Sequence, residues 1–213
     1  MKRSARLLQR EDGLQNPEAS FDVLYIVHML GSALDGVSQL QIQKLSFLAC
    51  ILSMYQGNPS AEWGYSFATT EFGRPICPEI TDSLQFFTGS GLLRENDARY
   101  TTSHRGSSFL SMLMEQTTFV RRIGYVKAAC DSALSVPAGT LNQGIDNEPT
   151  LVNTEIRARG DTLLAGPALQ TLHEHFSGLR EVLADRGADL LIPSIVWLSY
   201  TSDATISTRE AEA

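Results

Sequence analysis

The stretch from Pro78 to Met114 constrains the fold more than any other part of the chain. It opens with the features of a helix N-terminus, because a proline is harmless at the first helical position and the carboxylate of Glu79 meets the positive end of the helix dipole. Apolar residues then recur at helical spacing and two glycines end the pattern: Ile80, Leu84, Phe87, Gly89 and Gly91. The pattern predicts a helix from Pro78 to Thr88.

Two short strands and a second helix are predicted after it. One strand begins at Leu92 and Leu93, and a turn at Asn96–Ala98 leads to a strand rich in β-formers, with Tyr100, Thr101 and Thr102. Ser103 is a suitable N-cap for a helix that carries Phe109, Leu110, Leu113 and Met114. Helix, β-hairpin and helix form the second half of a winged-helix domain. The predicted fold class is therefore mainly α with a small β-hairpin wing, a winged helix-turn-helix plus a helical C-terminal extension.

Apolar patterns predict further helices on both sides of this stretch. Residues 21–34 are apolar almost all round, which is typical of a buried helix, and residues 38–55 show an amphipathic pattern that Ser38 can cap. Residues 61–72 are aromatic and β-branched and are compatible with a short strand. Residues 117–134 have helical periodicity, whereas residues 135–150 carry Pro, Gly, Asn and Asp without any period and are predicted to be an exposed loop or an internal boundary.

The last third of the chain is predicted to be helical again. The segment PALQTLHEHFSGLREVLADRG fits one helix, and ADLLIPSIVWLSY is either a helix kinked at Pro193 or a buried strand, of which we favour the helix. The expected organisation has four parts: an N-terminal arm at residues 1–20, a winged-helix domain with flanking helices at 21–134, a helical C-terminal region at 148–200 and a polar tail at 201–213.

Composition and motifs exclude several classes of function. The net charge of −7 argues against broad electrostatic attraction to nucleic acid or to an anionic membrane. No apolar run approaches the roughly 20 residues that span a bilayer, and the three distant cysteines supply neither a disulfide framework nor a metal-ligand pair. No phosphate-binding loop, nucleophile elbow or HExxH pattern occurs. We expect a cytoplasmic protein with no cofactor and no enzymatic activity, and keep an enzyme of unrecognised type as a third hypothesis.

In a winged helix that reads DNA, the helix in the major groove carries basic side chains. The corresponding helix of this chain carries acidic side chains instead. Base readout in the major groove uses Arg, Lys, Asn or Gln, but this helix contains Glu79, Asp82, one Gln and no basic residue. We therefore predict a protein interface at Glu79, Asp82, Gln85 and Phe86. Weak contact with the phosphate backbone stays open for basic residues of the wing and of the two following helices: Arg94, Arg99, Arg105, Arg121, Arg122 and Lys127.

Three segments of the chain carry a resemblance to a known family. The segments QIQKLSFLACILSMY, FGRPICPEITDSLQFFTGSGLLRE and YTTSHRGSSFL, with Trp63 between the first two, resemble the winged-helix middle component of bacterial three-component ABC-ATPase systems, including Lamassu-type defence systems. The resemblance covers roughly residues 38–116. The chain is more distantly similar to the Panacea antitoxin domain, from which it departs by GRP in place of GPV and by its long helical C-terminal extension.

This resemblance implies a non-catalytic accessory or adaptor subunit of an anti-phage or anti-plasmid complex. Its partners would be an SMC-like ABC ATPase and a nuclease effector, and it would reach DNA indirectly through the complex, without a membrane. The alternative is a winged-helix transcription regulator or antitoxin. That alternative predicts tight DNA binding by the isolated chain, with a steep dependence on salt.

Overall fold

The computed structural model of the chain describes residues 16–152, 163–164, 167–183 and 189–211. Its α-helices are α1 Pro17–Leu30, α2 Gln39–Tyr55, α3 Pro78–Gly89, α4 His104–Met114, α5 Val120–Ser135, α6 Ala138–Asp146, α7 Pro149–Val152, α8 Pro167–Leu183 and α9 Leu191–Ala211. Its strands are β1 Val37–Ser38, β2 Ala68–Thr69, β3 Pro75–Ile76, β4 Leu93–Asn96 and β5 Arg99–Thr102. Short 3₁₀-helices lie at Ser60–Trp63 and Thr117–Phe119. The prediction of a mainly helical chain with a small antiparallel sheet is confirmed.

The main sheet has the strand order β1-β5-β4, and both pairings are antiparallel. The two predicted strands pair as a hairpin, in which Leu93 lies opposite Thr102 and Asn96, predicted to be in the turn, ends β4 opposite Arg99. The turn between the strands consists of Asp97 and Ala98, which both have positive φ, at 49° and 57°. Two such residues match the right-handed twist of the flanking strands, so the hairpin is tight.

Helix α1 lies at the centre of the fold, where it contacts α2, α3, α4, α5 and β5. Asn16 caps it, accepting a hydrogen bond from the Ala19 backbone N at 2.8 Å. Nearly every residue from Ala19 to Leu30 is buried, and the Phe21 ring stacks on Phe119 at 4.4 Å. This confirms the buried helix predicted from the all-round apolar pattern. The predicted arm at residues 1–20 is therefore too long, because α1 already begins at Pro17; residues 1–15 lie outside the described residues.

The two predicted N-caps are confirmed. Ser38 accepts a hydrogen bond from the Gln41 backbone N at 3.3 Å, and its own backbone N donates to the Gln41 side chain at 2.9 Å. This is a complete capping box for α2. Ser103 accepts from the Gly106 backbone N at 3.1 Å and so fixes the start of α4 directly after the hairpin.

The prediction of a loop over residues 135–150 is wrong, because residues 138–146 form α6. Leu141 and Ile145, one turn apart, pack against the core, and α6 lies against α9. The contact is close because Gly144 has no side chain: a Cβ there would lie 2.6 Å from the Leu198 carbonyl oxygen. The glycine that looked like a loop residue is thus a packing residue.

Within the segment ADLLIPSIVWLSY, the residues from Leu191 onward form a helix, which was the favoured alternative to a buried strand, but Pro193 does not lie in the middle of that helix. Pro193 lies in the first turn of α9, where its missing N–H costs nothing. The predicted tail at residues 201–213 is wrong over most of its length, because α9 continues to Ala211. Within the described residues, no helix is long and apolar enough to cross a membrane.

Candidate protein-interaction surface

Helix α3 is held in place by polar contacts at its N-terminus. The buried side chain of Gln43, on α2, accepts from the Cys77 backbone N and donates to the Cys77 carbonyl, each at 2.9 Å. Within α3, the Ser83 hydroxyl lies 3.1 Å from that of Ser20 on α1. These contacts fix the rotation of α3 about its axis, so that its apolar stripe of Ile80, Leu84 and Phe87 is buried.

The opposite side of α3 is acidic and aromatic. Asp82 and Gln85 are exposed, and the side chain of Phe86 is 40% exposed. Because residues three and four apart are neighbours on a helix, Asp82 lies beside both of them. Glu79 is half-buried and accepts a hydrogen bond from the Cys77 thiol at 3.1 Å. The structure therefore brings three of the four predicted interface residues together on one exposed patch, with Glu79 at its edge.

The basic residues of the β4–β5 hairpin have different environments. Arg94, on β4, is exposed. Arg99 is half-buried, and its guanidinium donates to the backbone carbonyls of Leu34, Asp35 and Gly36 at 2.7, 2.9 and 2.7 Å. Arg99 thereby holds the loop between α1 and β1, and its charge is engaged inside the protein. Phosphate contact through Arg99 would require these bonds to break.

Three further basic residues lie on helices after the hairpin. Arg105 is exposed in the first turn of α4, where it donates a long bond of 3.4 Å to the Ser90 carbonyl. Arg121 is exposed on α5, and Lys127 on the same helix donates to Asp131 at 2.5 Å. An exposed pair of this kind contributes little to stability, so Lys127 stays accessible to other partners.

Arg122 corrects the predicted set of phosphate contacts, because it is buried with only 8% of its surface exposed. Its Nε and Nη2 donate to the two carboxylate oxygens of Asp22 at 2.6 and 2.7 Å, and Nη1 donates to the Trp63 carbonyl at 2.7 Å. The guanidinium also lies 3.7 Å from the centre of the Trp63 ring. These contacts join α5 to α1 and to the first 3₁₀-helix.

The aromatic surroundings complete this buried ion pair. The Tyr65 hydroxyl donates to Asp22, and the Tyr65 ring lies 5.2 Å from the Arg122 guanidinium. Burial alone lowers the pKa of Arg122, but the Asp22 carboxylate outweighs it and raises that pKa above its ordinary value. Sequence reasoning missed the pair, although one signal was present: a lone aspartate inside an apolar helix needs a buried partner.

Glu148 is a second buried carboxyl group that the sequence did not single out. It caps the short helix α7, accepting from the backbone N of Thr150 at 2.9 Å and of Leu151 at 3.2 Å. Burial raises the pKa of Glu148 from 4.5 to about 7. Its contribution to stability is therefore fully present below pH 4.5 and is lost as the pH rises through 7.

We expect the unfolding free energy to fall by about 3 kcal/mol between pH 4.5 and pH 8 through this group, given about 1.4 kcal/mol per pKa unit. Urea unfolding of the wild type and of Glu148→Gln at several pH values measures it. The glutamine keeps an acceptor oxygen for the helix but does not titrate, so the difference between the two proteins isolates Glu148. Parallel pH profiles of the two proteins would contradict the prediction.

The described residues include no group of three or more His, Cys, Asp or Glu side chains placed to hold a metal ion. Cys50, Cys77 and Cys130 are free and buried. Burial raises the pKa of each thiol, so all three are protonated near neutral pH and poor nucleophiles. What the surface offers chemically is an acidic and aromatic helix face, with exposed basic side chains on other elements. Comparisons with protein-family models, curated proteins and solved structures found no match to this chain.

Proposed function

We propose that the chain is a non-catalytic winged-helix adaptor subunit of an anti-phage or anti-plasmid complex, and that it binds an SMC-like ABC ATPase through the outer face of α3. One observation carries the proposal. The exposed patch of Asp82, Gln85 and Phe86 has the acid and the aromatic ring of a protein interface, and α3 contains no lysine or arginine. A helix that reads DNA bases needs basic or amide side chains on its exposed face and no carboxylate facing the phosphates.

The order of the elements supports the winged-helix assignment. The chain runs α1, β1, α2, α3, β4 and β5, with the sheet order β1-β5-β4, and this order supports the proposed winged helix. In that arrangement α3 takes the position of the recognition helix and the β4–β5 hairpin is the wing. The additional β2–β3 pair lies between α2 and α3 in the chain.

The identity of the partners rests on the family resemblance of residues 38–116. It suggests an SMC-like ATPase that acts with a nuclease effector, so that DNA reaches this subunit through the complex. The net charge of −7 supports contact with protein over a direct grip on DNA. A winged-helix regulator or antitoxin is the alternative, and the exposed Arg94 on the hairpin is the residue that favours it.

Replacing Asp82 by Lys is expected to weaken binding to the SMC-like ATPase at least about tenfold, since the charge of the patch is reversed. Calorimetry or biolayer interferometry with the two purified proteins measures the effect. Glu181→Lys is the matched control, because Glu181 is an exposed glutamate on α8 and its reversal should leave the affinity unchanged. Equal affinities for wild type and Asp82→Lys would remove α3 from the interface.

Binding of short duplex DNA by the isolated chain separates the adaptor from the regulator. Fluorescence anisotropy at low and physiological salt should show only weak binding for an adaptor. Tight binding that falls steeply with salt and is weakened by Arg94→Glu would favour the regulator and overturn the proposal.

A further inference from the structure

The groove between α3 and α4 suggests what kind of partner surface this protein recognises. We propose that it receives an amphipathic helix of a protein partner, one that carries a large apolar side chain with a carboxylate beside it. The inference deepens the proposed function and rests on it only for the identity of the partner.

The groove has an apolar floor that is open to solvent. The groove has a volume of about 270 Å³. Its apolar lining consists of Phe86 of α3, Leu92 before β4, and Phe109 and Met112 of α4. Phe86 is 40% exposed and Met112 is 37% exposed, so two large apolar side chains meet solvent in the same groove. Aromatic and methionine side chains at an open groove are typical anchors of protein interfaces.

The rim of the groove carries the positive charge of Arg105. His104 and Arg105 line it, and no carboxylate does. Both residues lie in the first turn of α4, which contains no acidic residue. The helix dipole is positive at this end, so a cation here is unfavourable in the isolated chain. An incoming carboxylate would interact favourably with the Arg105 guanidinium and with the positive end of the helix dipole.

The same features argue for a helix of a protein over nucleic acid. A phosphate could use Arg105, but it would leave the exposed apolar surface of Phe86 and Met112 uncovered. An amphipathic helix presents apolar side chains at intervals of three and four residues and can place a carboxylate next to them. The apolar side chains of such a helix would contact the floor of the groove, and its carboxylate would contact the basic residues at the rim.

Two designed peptides test the groove without the ATPase. Both are stapled amphipathic helices of about four turns with Phe and Leu anchors, and they differ only in a Glu or a Lys beside the Phe. We expect the Glu peptide to bind at least about tenfold more tightly, with backbone amide shifts in α3 and α4. Arg105→Glu should reverse this preference, and Phe86→Ala should weaken both peptides.

Arg121→Glu is the matched control, because Arg121 is also exposed but does not line the groove. Equal binding of the two peptides, absence of binding, an unchanged preference in Arg105→Glu, or displacement of the Glu peptide by short duplex DNA would each overturn the inference. The adaptor role is separable: if the ATPase binds the wild type and Arg105→Glu equally, the groove inference fails and the adaptor stands. If the Glu peptide binds as expected and the ATPase does not, the adaptor fails and the groove stands.

Discussion

Replacing Arg122 by Met is expected to lower the unfolding free energy by about 3–5 kcal/mol, because it leaves the Asp22 carboxylate buried without its partner. It also removes the bond to the Trp63 carbonyl and the stacking on the Trp63 ring. Urea unfolding at neutral pH measures the loss. Arg121→Met is the control, since this neighbouring arginine is exposed and its replacement should change the free energy by no more than about 0.5 kcal/mol.

The double variant Asp22→Leu with Arg122→Met tests whether the loss of stability comes from the unpaired charge on Asp22. If the cost of the single variant comes from an unpaired buried charge, removing both charges should recover most of it. A double variant as unstable as Arg122→Met alone would show that packing around Trp63, and not the charge on Asp22, accounts for the loss. A loss below about 1 kcal/mol in the single variant would contradict the role of the pair altogether.

Replacing Gly106 by Ala is expected to destabilise the protein by about 1–3 kcal/mol, because the site has no room for a methyl group. A Cβ at Gly106 would lie 2.2 Å from the Leu92 carbonyl oxygen and 2.9 Å from Thr102 Cγ2. The same carbonyl accepts a hydrogen bond from the Ser103 backbone N at 3.0 Å, so the clash falls on the junction of hairpin and α4.

Gly124→Ala is the matched control for this prediction. Gly124 also lies in a helix, α5, but nothing surrounds its Cβ position within 4 Å. Alanine there should stabilise the protein by up to about 1 kcal/mol through its helix propensity. Thermal and urea unfolding of both variants measure whether the unfolding free energy falls for Gly106→Ala and rises for Gly124→Ala. A shift in the same direction for the two variants would mean that helix propensity and not close approach decides the effect at Gly106.

Sequence reasoning succeeded where the determinants are local. Pro78 at the start of α3 and the caps at Ser38 and Ser103 each act within a few residues of the chain, and all were predicted. The hairpin turn was also predicted, one residue too long, because Asn96 belongs to β4. The exposed positions of Asp82 and Phe86 also followed from helical spacing alone.

It failed where the determinant is a distant segment. Helix α6 has weak intrinsic propensity and forms against α9, so its glycines indicated a loop. Arg122 looked like a solvent-exposed residue because its partner Asp22 is 100 positions away in the chain. The groove between α3 and α4 could not be predicted from the sequence either, because His104 and Arg105 approach Phe86 only in the folded chain.

The three bonds from Arg99 to the loop after α1 have a mechanical consequence. A force applied at the hairpin tip passes through the Arg99 side chain directly into the segment that ends the central helix. A displacement of the hairpin would therefore also act on the end of α1, the helix that the rest of the fold packs around.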